Sequence, residues 1–444
     1  MRLAPGVSDH VPQNRSSLRV SFVLARSVGL LVLILPLVAT ISWPQLMQRN
    51  DYLASFYVAG RLVAEGRAPD LYPDPSAASF STAPFNAFAH ELLPGLASDD
   101  TAAYLYSPLV AWLFAPFSLL GPSASMAAWQ LTTIGALAAC VVLLASVTGR
   151  SFRESFWQSL LYLPVFQTLL IGHLGITFGL LPLCAGYFFL RRQKPLWGGL
   201  AWSLLLLKPQ FLPTVLLVVG ALTLRGRLRC LLGFSSGLVL LAALTAFLLP
   251  GVGSRWIASL RLGDTIFTDP QYRYPTYLVT CLAGSSLPLL PIQMRDVVKF
   301  VAYGLAALIG LHALWRSWHL MKVKGPDPTS SLPLIFLLGI GVLPLVVPHF
   351  LSYDLSVLAV AGIVMAGSNW SGAERLRLKR IDLLYLLSVD AYLVLFMFVS
   401  IRLAQPVLLV GILILLYVWL LRFAEHTARR PQFVPDPGPA SGNA

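Results

Sequence analysis

The chain has 444 residues, 57% of them hydrophobic and only 11% charged, with a net charge of +13. Soluble domains carry about 25% charged residues, so a soluble globular class is excluded, and the excess Lys and Arg fits loops flanking a membrane better than a nucleic-acid surface. The long apolar runs, about 17–24 residues each and without period-two alternation, predict an all-α polytopic integral membrane protein of about 11–13 transmembrane helices.

In chain order, polar residues 1–21 are predicted to form a cytoplasmic N-terminal tail. The first apolar run, 22–42, is too long for a signal-peptide core and no A-x-A site follows it, so it should remain as an anchor. Further spans are predicted at 106–121, 125–148, 155–172, 174–190, 196–224, 230–249, 297–318, 331–348, 351–367, 381–401 and 405–422. The connectors "GRSFRE" (149–154), "RRQK" (191–194), "RGRLR" (225–229), "WRSWHLMKVKG" (315–325) and "ERLRLKR" (374–380) are basic. The positive-inside rule places them in the cytoplasm. Residues 43–105, residues 250–295 and the turn "VPHFLSYD" (347–354) then form the extracytoplasmic side.

Two places strain this threading. Residues 106–121 and 125–148 cannot both cross while "GRSFRE" stays inside. Residues 196–224 either go up and back, turning near "LKPQF" where Pro209 and Pro213 break the helix, or cross once with some basic loops outside. Residues 274–291 are predicted as a helix lying on the outer face. Residues 424–444, rich in Pro, Gly and Ala, read as a disordered cytoplasmic tail. Everything from 22 to 423 reads as one transmembrane domain. The four Cys are scattered through apolar segments and read as small buried hydrophobes.

The ionisable groups are concentrated. "NDYLASFYVAGRLVAEGRAPDLYPD" (50–74) puts three Asp, one Glu, two Arg and three Tyr just past the first span. A helix is predicted over 51–65, ended by Gly66 and Pro69. Asp51 is either its N-cap or a reactive carboxylate, and Arg61 and Glu65 are either a solvated face or part of a site. Tyr57 and the small residues of "FYVAG" suit packing beside a ligand. "AYLYSPLVAWLFAPFSLLG" (103–121) brings Tyr106 to a membrane boundary, as an aromatic belt or a loop entering the same cavity. "TLLIGHLGITFGLL" sets His173 between two glycines, as a core residue or a ligand contact. "SLLLLKPQFLP" sets Lys208 inside an apolar segment, where a lysine is costly and functional by default. Its compact charge suits a phosphate. "PLVVPHFLSYDLSVLAV" brings His349, Tyr353 and Asp354 to the outer boundary between two spans, with Asp354 also a candidate helix cap. No nucleotide-binding, HExxH or GxSxG motif is present. A lipid or glycan transporter of flippase type is the alternative class.

Taken in order, "NDYLASFYVAGRLVAEGRAPDLYPD", "YLYSPLVAWLFAPFSLLGP", "IGHLGITFGLLPLCAGYFFLRRQKPLWGGLAWSLLLLKPQFLP" and "HFLSYDLSVLAV" resemble glycosyltransferase family 87, over roughly residues 45–360. These are polyprenyl-phosphate-sugar-dependent transferases of the GT-C superfamily, typified by actinobacterial mannosyltransferases. Two positions depart from the family pattern: Tyr106-Ser107-Pro108 stands for its Tyr-Pro-Pro, and Gly172-His173 for its Gly-Gln. The resemblance implies a GT-C-like fold in the plasma membrane with both termini cytoplasmic. It implies inverting transfer of a hexose, with mannose the first candidate, from a polyprenyl-phosphate donor to a lipid or glycan acceptor at the extracytoplasmic face. It assigns Asp51 as general base. Lys208, His349 and Arg61 would bind the donor phosphate, and Tyr57, Tyr106, His173, Tyr353 and Asp354 the substrates. No cofactor, metal or nucleic acid is expected.

Overall fold

The computed structural model describes residues 15–77, 79–262, 281–282, 292–323, 330–367, 370–398 and 405–429. Among them the secondary structure is helical, with no strand. The predicted outer-face helix over 274–291 lies outside the described residues except for 281–282. The first helix, Arg15–Ser42, starts inside the segment expected to be a polar tail. The last, Gln405–Arg429, takes in the start of the expected C-terminal tail, whose remainder lies outside the described residues.

Among the described residues, five helical stretches are long and apolar enough to cross a membrane: Ala25–Ser42, Pro122–Thr148, Arg229–Leu248, Val297–Val323 and Val407–Ala428. A sixth arises if Leu163–Ile171 and Gly175–Arg191, bent by 115° at their junction, count as one broken span. The protein is therefore an all-α, multi-pass membrane protein. The other predicted spans exist mostly as shorter apolar helices, such as Pro108–Ser118, Pro195–Leu207, Pro209–Thr223, Leu332–Val346 and Ser352–Met365. Pro108–Ser118 has 11 residues, about 16 Å at 1.5 Å per residue. That is far below the roughly 30 Å of a hydrocarbon core. It is the short member of the pair that strained the threading.

Leu332–Val346 and Val357–Met365 are buried on all sides. Helices that are apolar all round belong in the middle of a bundle, and these two form its centre. At the periphery, small residues allow backbones to touch, as is usual between helices in lipid. Pro195–Ser203 lies against Arg229–Leu248 so closely that a Cβ on Gly233 would fall 2.0 Å from the Leu196 carbonyl oxygen. Gly60 packs in the same way on the Phe114 backbone, at 2.6 Å. The small residues of "FYVAG" thus serve helix contact.

Buried polar side chains join the elements that carry the site. Gln130 Nε2 donates to the carbonyls of Pro36 (3.3 Å) and Leu169 (3.2 Å), tying three helices together. On the long Gly372–Phe398 helix, Asp390 accepts from the Leu163 backbone N–H at 2.9 Å. Asp382 accepts from Gln158 Nε2 at 3.1 Å and from the Tyr162 hydroxyl. Two carboxylates therefore hold the start of Leu163–Ile171, whose other end carries the bend.

Candidate active site

The candidate site forms where four helix interruptions meet. Irregular backbone at membrane depth is tolerated only where protein or a cavity surrounds it, so such a convergence has a structural cost. Each interruption has a local cause in the sequence.

The first follows the initial span. After a single turn at Pro44–Met47, the chain enters a π-helical turn, Tyr52–Tyr57, which continues into Val58–Ala64. Asp51 stands at its start with helical dihedrals (φ −51°, ψ −38°) and makes no side-chain capping bond. The N-cap reading of Asp51 is thereby corrected: a cap residue is non-helical and its oxygen receives an N–H. Asp51 is half-buried, and its carboxyl is enclosed enough for burial to push its pKa up to about 6. Lys208 opposes that rise and Asp354 adds to it.

The second interruption is the 115° bend. Gly172 takes φ +68°, closing Leu163–Ile171 with a left-handed residue. A side chain there would also collide with Tyr52, whose Cβ lies 2.5 Å from where the new Cβ would stand. Trp129 Nε1 donates to the Gly172 carbonyl at 2.8 Å. His173 follows and is wholly buried.

The third interruption is at Lys208, between short 3₁₀ turns at Leu204–Leu207 and Pro209–Phe211. Proline disfavours helix in the residue before it, and Lys208 is out of the helical region (φ −140°, ψ 77°). The fourth is the turn after Pro348, which ends in the 3₁₀ segment Ser352–Ser356 carrying Tyr353 and Asp354.

These breaks bring side chains from distant segments together. Lys208 Nζ lies 2.9 Å from Asp354 Oδ1, and both side chains are fully buried. Asp354 Oδ2 accepts from the Leu351 N–H at 3.1 Å, so Asp354 both caps its turn and pairs with Lys208. Lys208 Nζ stands 5.9 Å from the Tyr106 ring and 5.5 Å from the Tyr353 ring, within reach of cation–π attraction. His173 packs on Tyr353 with centroids 3.9 Å apart. Its Nε2 lies 2.9 Å from the Tyr106 hydroxyl.

Six of the residues singled out from the sequence thus share one cluster: Asp51, Tyr106, His173, Lys208, Tyr353 and Asp354. His349 sits in the same turn as Tyr353, half-buried. Arg61 does not join. It pairs with Glu65 at 2.8 Å on an exposed face, the solvated reading of that stretch. Tyr57 points elsewhere, donating to the Leu120 carbonyl at 3.0 Å. Its neighbour Phe56 takes the place beside the cluster, with centroids 4.9 Å from Tyr106 and 6.1 Å from His173. The i→i+5 bonding of a π turn changes which side chains share a face, and the sequence carries no signal for that turn. Among the described residues no group of three His, Cys, Asp or Glu is arranged to hold a metal.

The sequence model of glycosyltransferase family 87 matches residues 104–338. The chain belongs to glycosyltransferase family 87. No curated protein and no solved structure gives a significant match. As a family 87 member the protein is a membrane glycosyltransferase, acting on a sugar donor and an acceptor, and not the transporter weighed as the alternative. The matched region contains Tyr106, His173 and Lys208. Asp51, His349, Tyr353 and Asp354 lie outside it and are joined to it by the fold.

Proposed function

We propose that this glycosyltransferase moves a hexose, with mannose the first candidate, from a polyprenyl-phosphate donor to a lipid or glycan acceptor, with inversion. The reaction takes place at the extracytoplasmic face of the plasma membrane, with both termini in the cytoplasm. The observation that carries the reading is geometric: a buried lysine, Lys208, paired with Asp354 at 2.9 Å, whose electrostatic field reaches the carboxylate of Asp51. All three stand where helix breaks meet in a membrane bundle.

The chemistry divides between Asp51 and Lys208. An acceptor hydroxyl oxygen attacks the anomeric carbon while Asp51 takes its proton, as an inverting displacement requires a base on the attacking side. The bond from the anomeric carbon to the phosphate oxygen breaks, and the electron pair leaves with the prenyl phosphate. A phosphate needs little protonation to depart but gains from cations near it. Lys208 supplies one. An ammonium has three N–H donors; Asp354 occupies one side of it and orients the rest. His349 stands at the rim for the same phosphate, and Tyr106, Tyr353 and the His173 ring wall the sugar. Arg61 and Tyr57 have no part in this arrangement.

The test offers the purified protein prenyl-phosphate hexoses and nucleotide hexoses side by side, with the anomeric configuration of any product read by NMR. Transfer from a prenyl-phosphate hexose with inversion is expected. Transfer from nucleotide sugars only, or retention, contradicts the proposal.

A further inference from the structure

Tyr106 stands in no helix. Residues 103–107 run irregularly up to the start of Pro108–Ser118, so their carbonyls lack the partners that a helix supplies. Side chains take that place. Ser55 Oγ, on the π-helical turn, donates to the Ala103 carbonyl at 3.1 Å. Trp256 Nε1, on the helix Val252–Ser259, donates to the Leu105 carbonyl at 3.0 Å. The Tyr72 hydroxyl donates to the carbonyl of Tyr106 itself, and the Tyr104 hydroxyl to that of Ser107 at 2.9 Å. Tyr72 and Tyr104 are buried. Their ring centroids lie 5.7 Å apart, and Tyr104 lies 6.1 Å from Tyr106.

A second layer holds the first. Arg255 Nη1 donates to the Pro69 carbonyl at 3.1 Å, and Arg261 donates to the carbonyls of Pro75 and Ala77. Tyr72 lies between those anchor points, and Trp256 adjoins Arg255. Residues 252–262 therefore grip the chain on both sides of Tyr72 and also touch the carbonyl next to Tyr106. What they secure is the ring that flanks Lys208 Nζ at 5.9 Å and the hydroxyl 2.9 Å from His173 Nε2. Trp256 belongs to none of the motifs picked out from the sequence.

We propose that Tyr72 and Trp256 are positioning residues that hold the Tyr106 ring beside Lys208 for binding of a prenyl phosphate, with Arg255 and Arg261 as their brace. The inference rests on the lipid-phosphate reading above.

Farnesyl phosphate and farnesol serve as probes, titrated into the full-length protein in nanodiscs. Tyr72→Phe and Trp256→Phe each remove one donor and keep an aromatic ring. Each should weaken farnesyl phosphate about twofold to tenfold, the value of one neutral hydrogen bond, and leave farnesol unchanged. Arg255→Ala combined with Arg261→Ala should give a loss in the same range. Tyr106→Leu removes the ring beside Lys208 and should weaken farnesyl phosphate at least as much. In the Tyr106→Leu background, Tyr72→Phe and Trp256→Phe should cause no further loss, because they act through Tyr106. A merely structural role would add the same loss in both backgrounds. Tyr72→Phe differs from wild type by one oxygen, so it remains readable if a tryptophan or arginine variant misfolds. Unchanged farnesyl phosphate binding in Tyr72→Phe, Trp256→Phe or Tyr106→Leu overturns the proposal, as do equal losses with and without Tyr106. An arginine double variant that binds like wild type overturns the brace. Wild-type binding of farnesyl phosphate no tighter than that of farnesol overturns the lipid-phosphate reading beneath it.

Discussion

Asp51→Asn separates chemistry from architecture. Burial raises the Asp51 pKa from 3.8 to about 6, a shift of roughly two units. At about 1.4 kcal/mol per unit, holding the ionised carboxylate at neutral pH costs the fold on the order of 3 kcal/mol. The sign follows from linkage. The folded state binds this proton more tightly than the unfolded chain, so stability declines as pH rises from about 4 to about 6 and is flat above. Asparagine is neutral and nearly isosteric, so the variant should unfold at the wild-type temperature or slightly higher. Loss of a general base should lower turnover by about 10²–10⁴. In the wild type, kcat/KM should fall tenfold per unit as pH drops below about 6, because only the ionised form accepts a proton. The assay is sugar transfer in nanodiscs across pH 4.5–8, paired with thermal unfolding of both proteins. An Asn variant that turns over like wild type, or a wild-type profile flat through pH 6, refutes the reasoning.

Other perturbations follow from the same geometry. Lys208→Ala leaves Asp354 buried without its partner and should cost about 3–5 kcal/mol, read as a lowered unfolding temperature. Lys208→Met with Asp354→Leu should recover much of that stability and none of the turnover. Gly172→Ala forces a side chain onto a left-handed residue and against Tyr52. It should destabilise by about 2 kcal/mol or more, with activity lost at temperatures where the wild type is stable. Arg61→Ala, which removes only a surface pair, should change unfolding by less than about 1 kcal/mol and leave sugar transfer intact.

Most of the architecture is legible in the sequence because apolar runs and basic connectors follow directly from the energetics of lipid. The interruptions are partly legible. Pro209 marks the break at Lys208, and Gly172 marks the bend before His173. What escapes the sequence is length in space. Pro108–Ser118 is apolar enough for a span but too short, and a run such as 196–224 gives no sign of how sharply its break turns. In the cluster, Lys208 and Asp354 are recognisable because unpaired charge in an apolar segment is expensive, so each calls for a partner. Phe56 is not recognisable, since a π turn decides that it and not Tyr57 faces the cluster. Arg61 is ambiguous for the opposite reason: a charged helix face reads the same whether it meets solvent or a phosphate. The Asp382 and Asp390 carboxylates, which secure the helix leading to His173, could have been suspected from two acids in a predicted span.

The central claim is that transfer from a lipid phosphate depends on Asp51. The direct measurement incubates wild type and Asp51→Asn with a mannosyl-phosphoprenol and a lipid acceptor, and follows released prenyl phosphate and mannosylated acceptor together by mass spectrometry. The account predicts equal amounts of both products from the wild type and neither from the variant. Equal product from the two proteins, or prenyl phosphate released without mannosylated acceptor, would contradict it.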